Sequence, residues 1–467
     1  MAIALHSFTE NQPPSFTTNE DGSSPVGVLM LIGSNVYGTA NLAGHFGKGT
    51  LFRVATNGAG FTVLHHFGSI GDGGRPDSGL TLSGNKFYGT TSEGAANNTG
   101  GIYSINTDGT GYVNFYSFTA ASMDPNNHFA FTNKDGTYPF AGPVILGGMA
   151  YGTAVSGGKF GAGTVFAVRT NGTGFTNLHN FASISTSTTN SEGASPYGTM
   201  ILSGSTLYGL AYHGGSNGFG TIYSISTNGA GFTNLHHFAS TPSDGGYPYG
   251  ALLLADNALY GTTSSAGSFA HGTVFKINLD GSGFATLHDF SREFNSQIYN
   301  PTNADGGDAI CTLILSHGAL VGVARSGGLF GDGTVFSINT NGNNFAVIHQ
   351  VSPFDLAANT NAEGAYPTSV ILSGNALYGA APYGGAAGRG AIFALTLPSP
   401  TVLDIALAAT NVAVSWPIAA VGYQLESTTN LPVGNWSEIT DGLAVVDTNF
   451  VFSSSVTNPP VLFRLRR

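Results

Sequence analysis

Charge is scarce in this chain. Only 8% of its 467 residues are Asp, Glu, Lys or Arg, and the 14 basic residues form no cluster or stripe. With a net charge of −11, that argues against nucleic acid and anionic membranes as partners. The single cysteine, Cys311, excludes an internal disulfide, and its place in an apolar run marks it as a buried thiol rather than a reactive one. No apolar run approaches the length of a membrane span. Amphipathic helical periodicity is missing throughout the first 400 residues. No signal peptide is expected, since Met1–Leu5 leads directly into a strand-like segment, and no apolar anchoring helix is expected at Phe463–Arg467.

Glycine, in contrast, is abundant at 69 residues, and its spacing is periodic. Periodic glycine argues for repeats rather than disorder. The clearest unit runs from Asp244 to Phe290: an acid-Gly pair, Pro248, an apolar strand, Leu-Tyr-Gly-Thr, a glycine-rich loop, Gly-Thr-Val-Phe, an Asp-Gly turn and Leu-His-Asp-Phe. The Tyr-Gly mark recurs at Tyr37, Tyr88, Tyr151, Tyr208, Tyr260 and Tyr378, with Val321 in the same slot. Each unit reads as four short strands. The last two are joined by Asn-Gly or Asp-Gly, as at Asn57-Gly58 and Asp280-Gly281, a strong hairpin signal.

Four antiparallel strands repeated radially make a β-propeller. The seventh unit ends at Phe393 without its fourth strand, while Ala4-Leu5-His6-Ser7-Phe8 is such a strand with no unit before it. The expected fold is therefore all-β: a seven-bladed propeller over 1–397, closed by the N-terminal strand, with no bare sheet edge. Residues 401–467 lose the glycine motif and alternate around Val412, Val414 and Trp416, then Tyr423 and Leu425, then Phe463 and Leu465. They read as a small β-sandwich in which Trp416 and Trp436 belong to the core.

The units LYGTTSSAGSFAHGTVFKINLDGSGFATLHDF and YGTAVSGGKFGAGTVFAVRTNGTGFTNLHNF resemble the bacterial GloVer tandem repeat. The resemblance covers about residues 1–397. It implies export and a surface role, and it brings no catalytic residues with it. The C-terminal segment is similar to fibronectin-III-like modules.

Two constellations stand out as chemistry. One is an acid before Gly in every unit: Asp21, Asp72, Asp135, Glu192, Asp244, Asp305 and Glu363. They could ring a channel mouth and bind Ca²⁺, the only cofactor considered, or a polyhydroxylated ligand through hard oxygens. They could equally each fix a turn, which strict repetition favours. The other is a histidine slot: His6, His65, His179, His236, His288 and His349, with Tyr116 in the second unit. One histidine per blade does not converge on a metal, so each is expected to hydrogen-bond within its blade, to the local acid or a threonine. The glycine-rich stretches at 157–163 and 327–333 lack the strand-to-helix setting of a phosphate loop.

Catalysis needs asymmetry, so departures from the repeat form the candidate ligand site. They are Asp305 with Asp308, Arg325, and His45, Tyr212, His213 and Tyr383 on the loops. The long connections carry Phe129, Phe131, Phe294, Tyr299 and Phe354, and such loops are a second place for binding. The expected function is a secreted or cell-surface binding or adhesion module for glycans, acting as a monomer. Its expected partners are extracellular polysaccharide or another surface protein. A glycan-active hydrolase or lyase using the propeller face, and a passive envelope repeat, are the alternatives.

Overall fold

The computed structural model describes residues 2–466 except 14–16, 69–70, 125–126, 185–187, 243, 293–300, 317, 398–402, 409–410, 418–422, 430–435, 447–448 and 456–460. Phe294 and Tyr299 lie outside the described residues. The described residues contain strands and turns but no helix, and hence none long and apolar enough to cross a membrane.

Among the described residues, the repeats fold into seven antiparallel sheets of four or five strands in a propeller-like arrangement. The fifth sheet shows the pattern: Leu253–Ala255, Ala258–Ser265, Thr273–Asn278 and Ala285–Asp289 pair in chain order, and Gly246–Pro248 adds a short entry strand. Only the seventh sheet breaks chain order. Ser369–Ser373, Ala376–Ala381 and Ala391–Thr396 are joined there by the N-terminal strand Ala2–Ser7, with Ala4 opposite Phe393.

The Tyr-Gly mark has a packing cause. Its glycine pairs with the aromatic residue of the next strand, as Gly261 with Phe275 and Gly379 with Phe393. That ring lies over the glycine, so a Cβ at Gly379 would come within 2.1 Å of the Phe393 ring. The phenylalanines closing the fourth strand in six of the seven sheets, Phe8, Phe67, Phe118, Phe181, Phe238 and Phe290, are fully buried, and Val351 takes the slot in the sixth. Each contributes roughly 1.5–3 kcal/mol.

One backbone device joins neighbouring sheets. The residue three after each acid is left-handed: Ser24, Arg75, Tyr138, Ser195, Tyr247, Asp308 and Tyr366 have φ between 52° and 58°. Side chains rarely adopt this conformation, so something must hold it. In every case its N–H donates to a carbonyl of the preceding sheet's loop, as Arg75 to Lys48 at 2.7 Å and Asp308 to His271 at 2.9 Å. The same bond runs from Ser24 of the first sheet to Arg389 of the seventh, at 2.8 Å. The proline that follows seats against a glycine of the preceding sheet. A Cβ on Gly49 would lie 2.6 Å from Pro76, and one on Gly390 2.6 Å from Pro25.

Beyond the repeats, Asp404–Ala408, Asn411–Pro417, Leu443–Val446 and Asn449–Ser455 form one sheet. Gln424–Thr428, Ser437–Glu438 and Leu462–Arg466 form a second. Val414, Trp416, Leu425 and Phe450 are buried together between them. Trp436 is covered by the Arg464 guanidinium, 4.2 Å from the ring centre.

Candidate functional site: a central cavity lined by every sheet

The repeated acids and histidines build joints between sheets. Each histidine in the fourth strand of one sheet bonds the acid that enters the next. The pairs are His6–Asp21, His65–Asp72, His179–Glu192, His236–Asp244, His288–Asp305 and His349–Glu363, at 2.8–3.2 Å. Tyr116 takes the slot in the second sheet and donates to Asp135 at 2.6 Å. Each acid also accepts the backbone N–H that follows the closing apolar residue, for instance Ala239 to Asp244 at 2.7 Å and Ser352 to Glu363 at 2.7 Å.

A ring from the next sheet's hairpin stacks on the histidine. Phe61 lies 3.5 Å from His6 and Phe284 3.8 Å from His236, centre to centre. Burial works to raise the Asp305 and Glu363 carboxyls, but the hydrogen bonds from His288 and His349 prevail and hold both below the ordinary range. Burial lowers His179, against the pull of Glu192.

The seven acids thus sit in seven separate networks. Among the described residues no group of three His, Cys, Asp or Glu side chains is placed to hold a metal ion. None of the seven acids, including Asp305, reaches the cavity described next.

That cavity has a volume of about 420 Å³ and draws lining residues from all seven sheets. Two positions per repeat supply the key side chains. The first directly follows the proline slot: Val26, Asp77, Phe140, Tyr197, Tyr249, Ile310 and Thr368, every one of them in the lining. The second lies four residues after the Tyr-Gly tyrosine, or after Val321 in the sixth sheet. It supplies Asn41, Arg325 and Pro382 to the lining. The left-handed residue before each proline slot turns the chain into this position.

The lining is asymmetric. Phe140, Tyr197 and Tyr249, from three consecutive sheets, form an aromatic wall. Their ring centres are 5.4 Å apart (Phe140–Tyr197) and 5.0 Å apart (Tyr197–Tyr249), with nearly parallel planes. Tyr212, in the second variable position of the fourth sheet, packs edge-on behind Tyr197 at 5.4 Å. Burial, reinforced by Tyr197, pushes the Tyr249 hydroxyl up to about 12.

Asp77 flanks the wall on one side. Asn41 Nδ2 donates to it at 2.6 Å and Ser92 Oγ at 2.5 Å. Burial lifts its carboxyl above the ordinary range against those bonds and the charge of Arg75. Arg75 is itself bridged to Glu93 at 3.0 Å, and Lys48 meets the same carboxylate at 2.9 Å. Asn41 is buried, and its Oδ1 has no hydrogen-bond partner among the described residues.

Of the residues singled out in the sequence, Arg325 and Tyr383 line the cavity and Tyr212 supports its wall. His213 packs on Tyr212 and Tyr247, outside the lining. His45 is bonded to Glu20 at 2.7 Å and stacked on His66 at the surface. Asp308 acts through its backbone, in the left-handed joint. Phe131 is exposed and Phe354 half-buried, and neither reaches the cavity; the Phe129 side chain is outside the described residues. Cys311 is fully buried, accepts the Val323 N–H at 3.3 Å, and burial pushes its thiol up to about 11.

Fold and site together define an all-β, repeat-built, propeller-like protein with an asymmetric cavity lined from all seven sheets. The chain belongs to the Gloeobacter/Verrucomicrobia repeat family, whose model matches residues 11–129 and 116–300. No curated protein matches the sequence. Among solved structures it is similar to an oligogalacturonate lyase in complex with manganese, at 10% identity over 85% of this chain and 93% of that one, with a TM-score of 0.49. The oligogalacturonate lyase from Vibrio parahaemolyticus matches at 8% identity over 85% and 98%, with a TM-score of 0.46. TolB from Acinetobacter baumannii matches at 13% identity over 64% and 58%, with a TM-score of 0.36.

Proposed function

We propose that the seven sheets are the blades of one closed ring, with Ala2–Ser7 completing the last. We read the ring as a secreted or cell-surface module that binds glycans in its central cavity. Extracellular polysaccharide is the proposed partner, and a glycan on another surface protein would present the same chemistry. The protein acts as a monomer, and its last 67 residues are a fibronectin-III-like module.

One observation carries this reading: the scaffold repeats while the side chains in the cavity-facing slot change from sheet to sheet, with only tyrosine used twice, at Tyr197 and Tyr249. Variation confined to the one shared space is what a ligand site requires. A sugar offers an apolar ring face and a rim of hydroxyls. Phe140, Tyr197 and Tyr249 offer the matching flat surface with polar edges. Asn41 Oδ1 is a buried acceptor without a donor among the described residues, and such groups ordinarily have one. A cavity of about 420 Å³ falls in the usual range for small-ligand sites, about 300–1,000 Å³.

A second reading, a glycan hydrolase or lyase, is favoured by Asp77, whose raised carboxyl suits a general acid in the cavity wall. Titrating the full chain with a panel of neutral and acidic polysaccharides, while following both binding and product release, tests these readings together. Binding without product, weakened roughly tenfold or more by Tyr197→Ala or Tyr249→Ala, is the expected result. Product release abolished by Asp77→Asn would replace the binding module with the enzyme. No binding across the panel would leave a passive envelope repeat.

A further inference from the structure

Arg325 is the cavity residue that the scaffold does not explain. It occupies the second variable position of the sixth sheet, where the tyrosine mark itself is replaced by Val321. The side chain is half-buried, lines the cavity, and makes no hydrogen bond or ion pair among the described residues. The other cations near the cavity differ in this respect, since Arg75 and Lys48 share Glu93. Asp77 also lines the cavity, but its oxygens are engaged by Asn41 and Ser92.

The cavity therefore presents, among the described residues, a guanidinium with no hydrogen-bonded or ion-paired partner, in a protein whose net charge is −11. A partly desolvated guanidinium without a counter-charge is costly. Its planar fork matches a carboxylate in a bidentate pair. Tyr249 lines the same cavity. A ligand that satisfies both carries an anionic group attached to a ring with an apolar face.

We propose that the cavity takes an acidic saccharide, a glycan containing uronic acid, whose carboxylate pairs with Arg325 while its ring packs on Tyr249. This rests on the glycan reading above and narrows it. Asn41 Oδ1 then accepts from a ring hydroxyl, so the three contacts fix the sugar's orientation.

The test uses the full chain and a set of uronate oligosaccharides (glucuronate, galacturonate and mannuronate), each beside its carboxyl-reduced neutral counterpart of the same linkage. Calorimetric titration should show at least one uronate bound roughly tenfold or more tightly than its neutral twin, as a charge-assisted pair requires. That preference should shrink as salt rises. Arg325→Gln should bring the two sugars within about twofold of each other, and Arg325→Lys should restore part of the preference, because it keeps the charge and loses the fork. Among the described residues the Arg325 side chain has no hydrogen-bond or ion-pair partner to lose, so both variants should keep the parent's unfolding midpoint.

Equal binding of acid and neutral forms, abolished by Tyr249→Ala, would overturn the uronate assignment and leave the glycan reading standing. So would an acid preference that survives Arg325→Gln. Binding of neither form by the parent would remove both.

Discussion

His288 bonds Asp305 at 2.9 Å and lies under the ring of Phe345 at 3.6 Å. Replacing it with alanine leaves a largely buried carboxylate short of a donor. Urea unfolding should show a loss of about 1.5–3 kcal/mol for His288→Ala. His288→Tyr should recover most of that, since Tyr116 already makes the equivalent bond to Asp135 beneath Phe175. Equal losses in both variants would mean that the bond carries none of the stability. At this scale the sequence misdirects in an instructive way. The acids and histidines are conspicuous because every joint makes the same demand, and that sameness belongs to scaffold. Asp77, Phe140, Tyr197 and Tyr249 escape notice because they fill the one slot that varies within a strict motif. Variation there reads as drift until the fold brings all seven slots round a single space. The usable signal is the residue directly after each proline slot, which changes in kind from Val26 to Asp77 to Phe140.

Within the sheets, the strands and their hairpins are legible because each has a local cause: Asp280-Gly281 for the turn, alternation for the strand, and glycine opposite an aromatic ring in the middle pair. The short entry strand Gly246–Pro248 and the left-handed residue before each proline are not legible. They depend on a hydrogen bond to a different sheet, which no local pattern encodes. One position inside the strands is less than ideal. Tyr103 and Tyr223 are completely buried, and their hydroxyls have no partner among the described residues, while the corresponding residues are Phe52, Phe166, Phe275, Phe336 and Phe393. Removing an unsatisfied buried hydroxyl without changing shape should stabilise the protein. Tyr103→Phe and Tyr223→Phe should each raise unfolding stability by about 1 kcal/mol. A loss of similar size in either would show that the hydroxyl has a partner after all.

For the molecule as a whole, the decisive element is Ala2–Ser7, which pairs with Ala391–Thr396 and brings the buried Phe8 with it. Deleting residues 2–8 bares a strand edge and removes an apolar side chain worth roughly 1.5–3 kcal/mol. The truncated chain should unfold at lower temperature and elute as higher-order species in size-exclusion chromatography. A truncated chain that stays monomeric with an unchanged midpoint would contradict closure by this strand. The cavity has a different relation to the scaffold. Each of the slots after the proline lines the cavity, while the prolines, joints and buried aromatic rings that hold neighbouring sheets together lie elsewhere in the repeat. A single codon change at any such slot can alter what the cavity accepts without disturbing a joint. On the binding role proposed above, lineages carrying this repeat can therefore diverge in ligand while their frameworks stay superimposable, and a new specificity is within reach of a handful of point mutations.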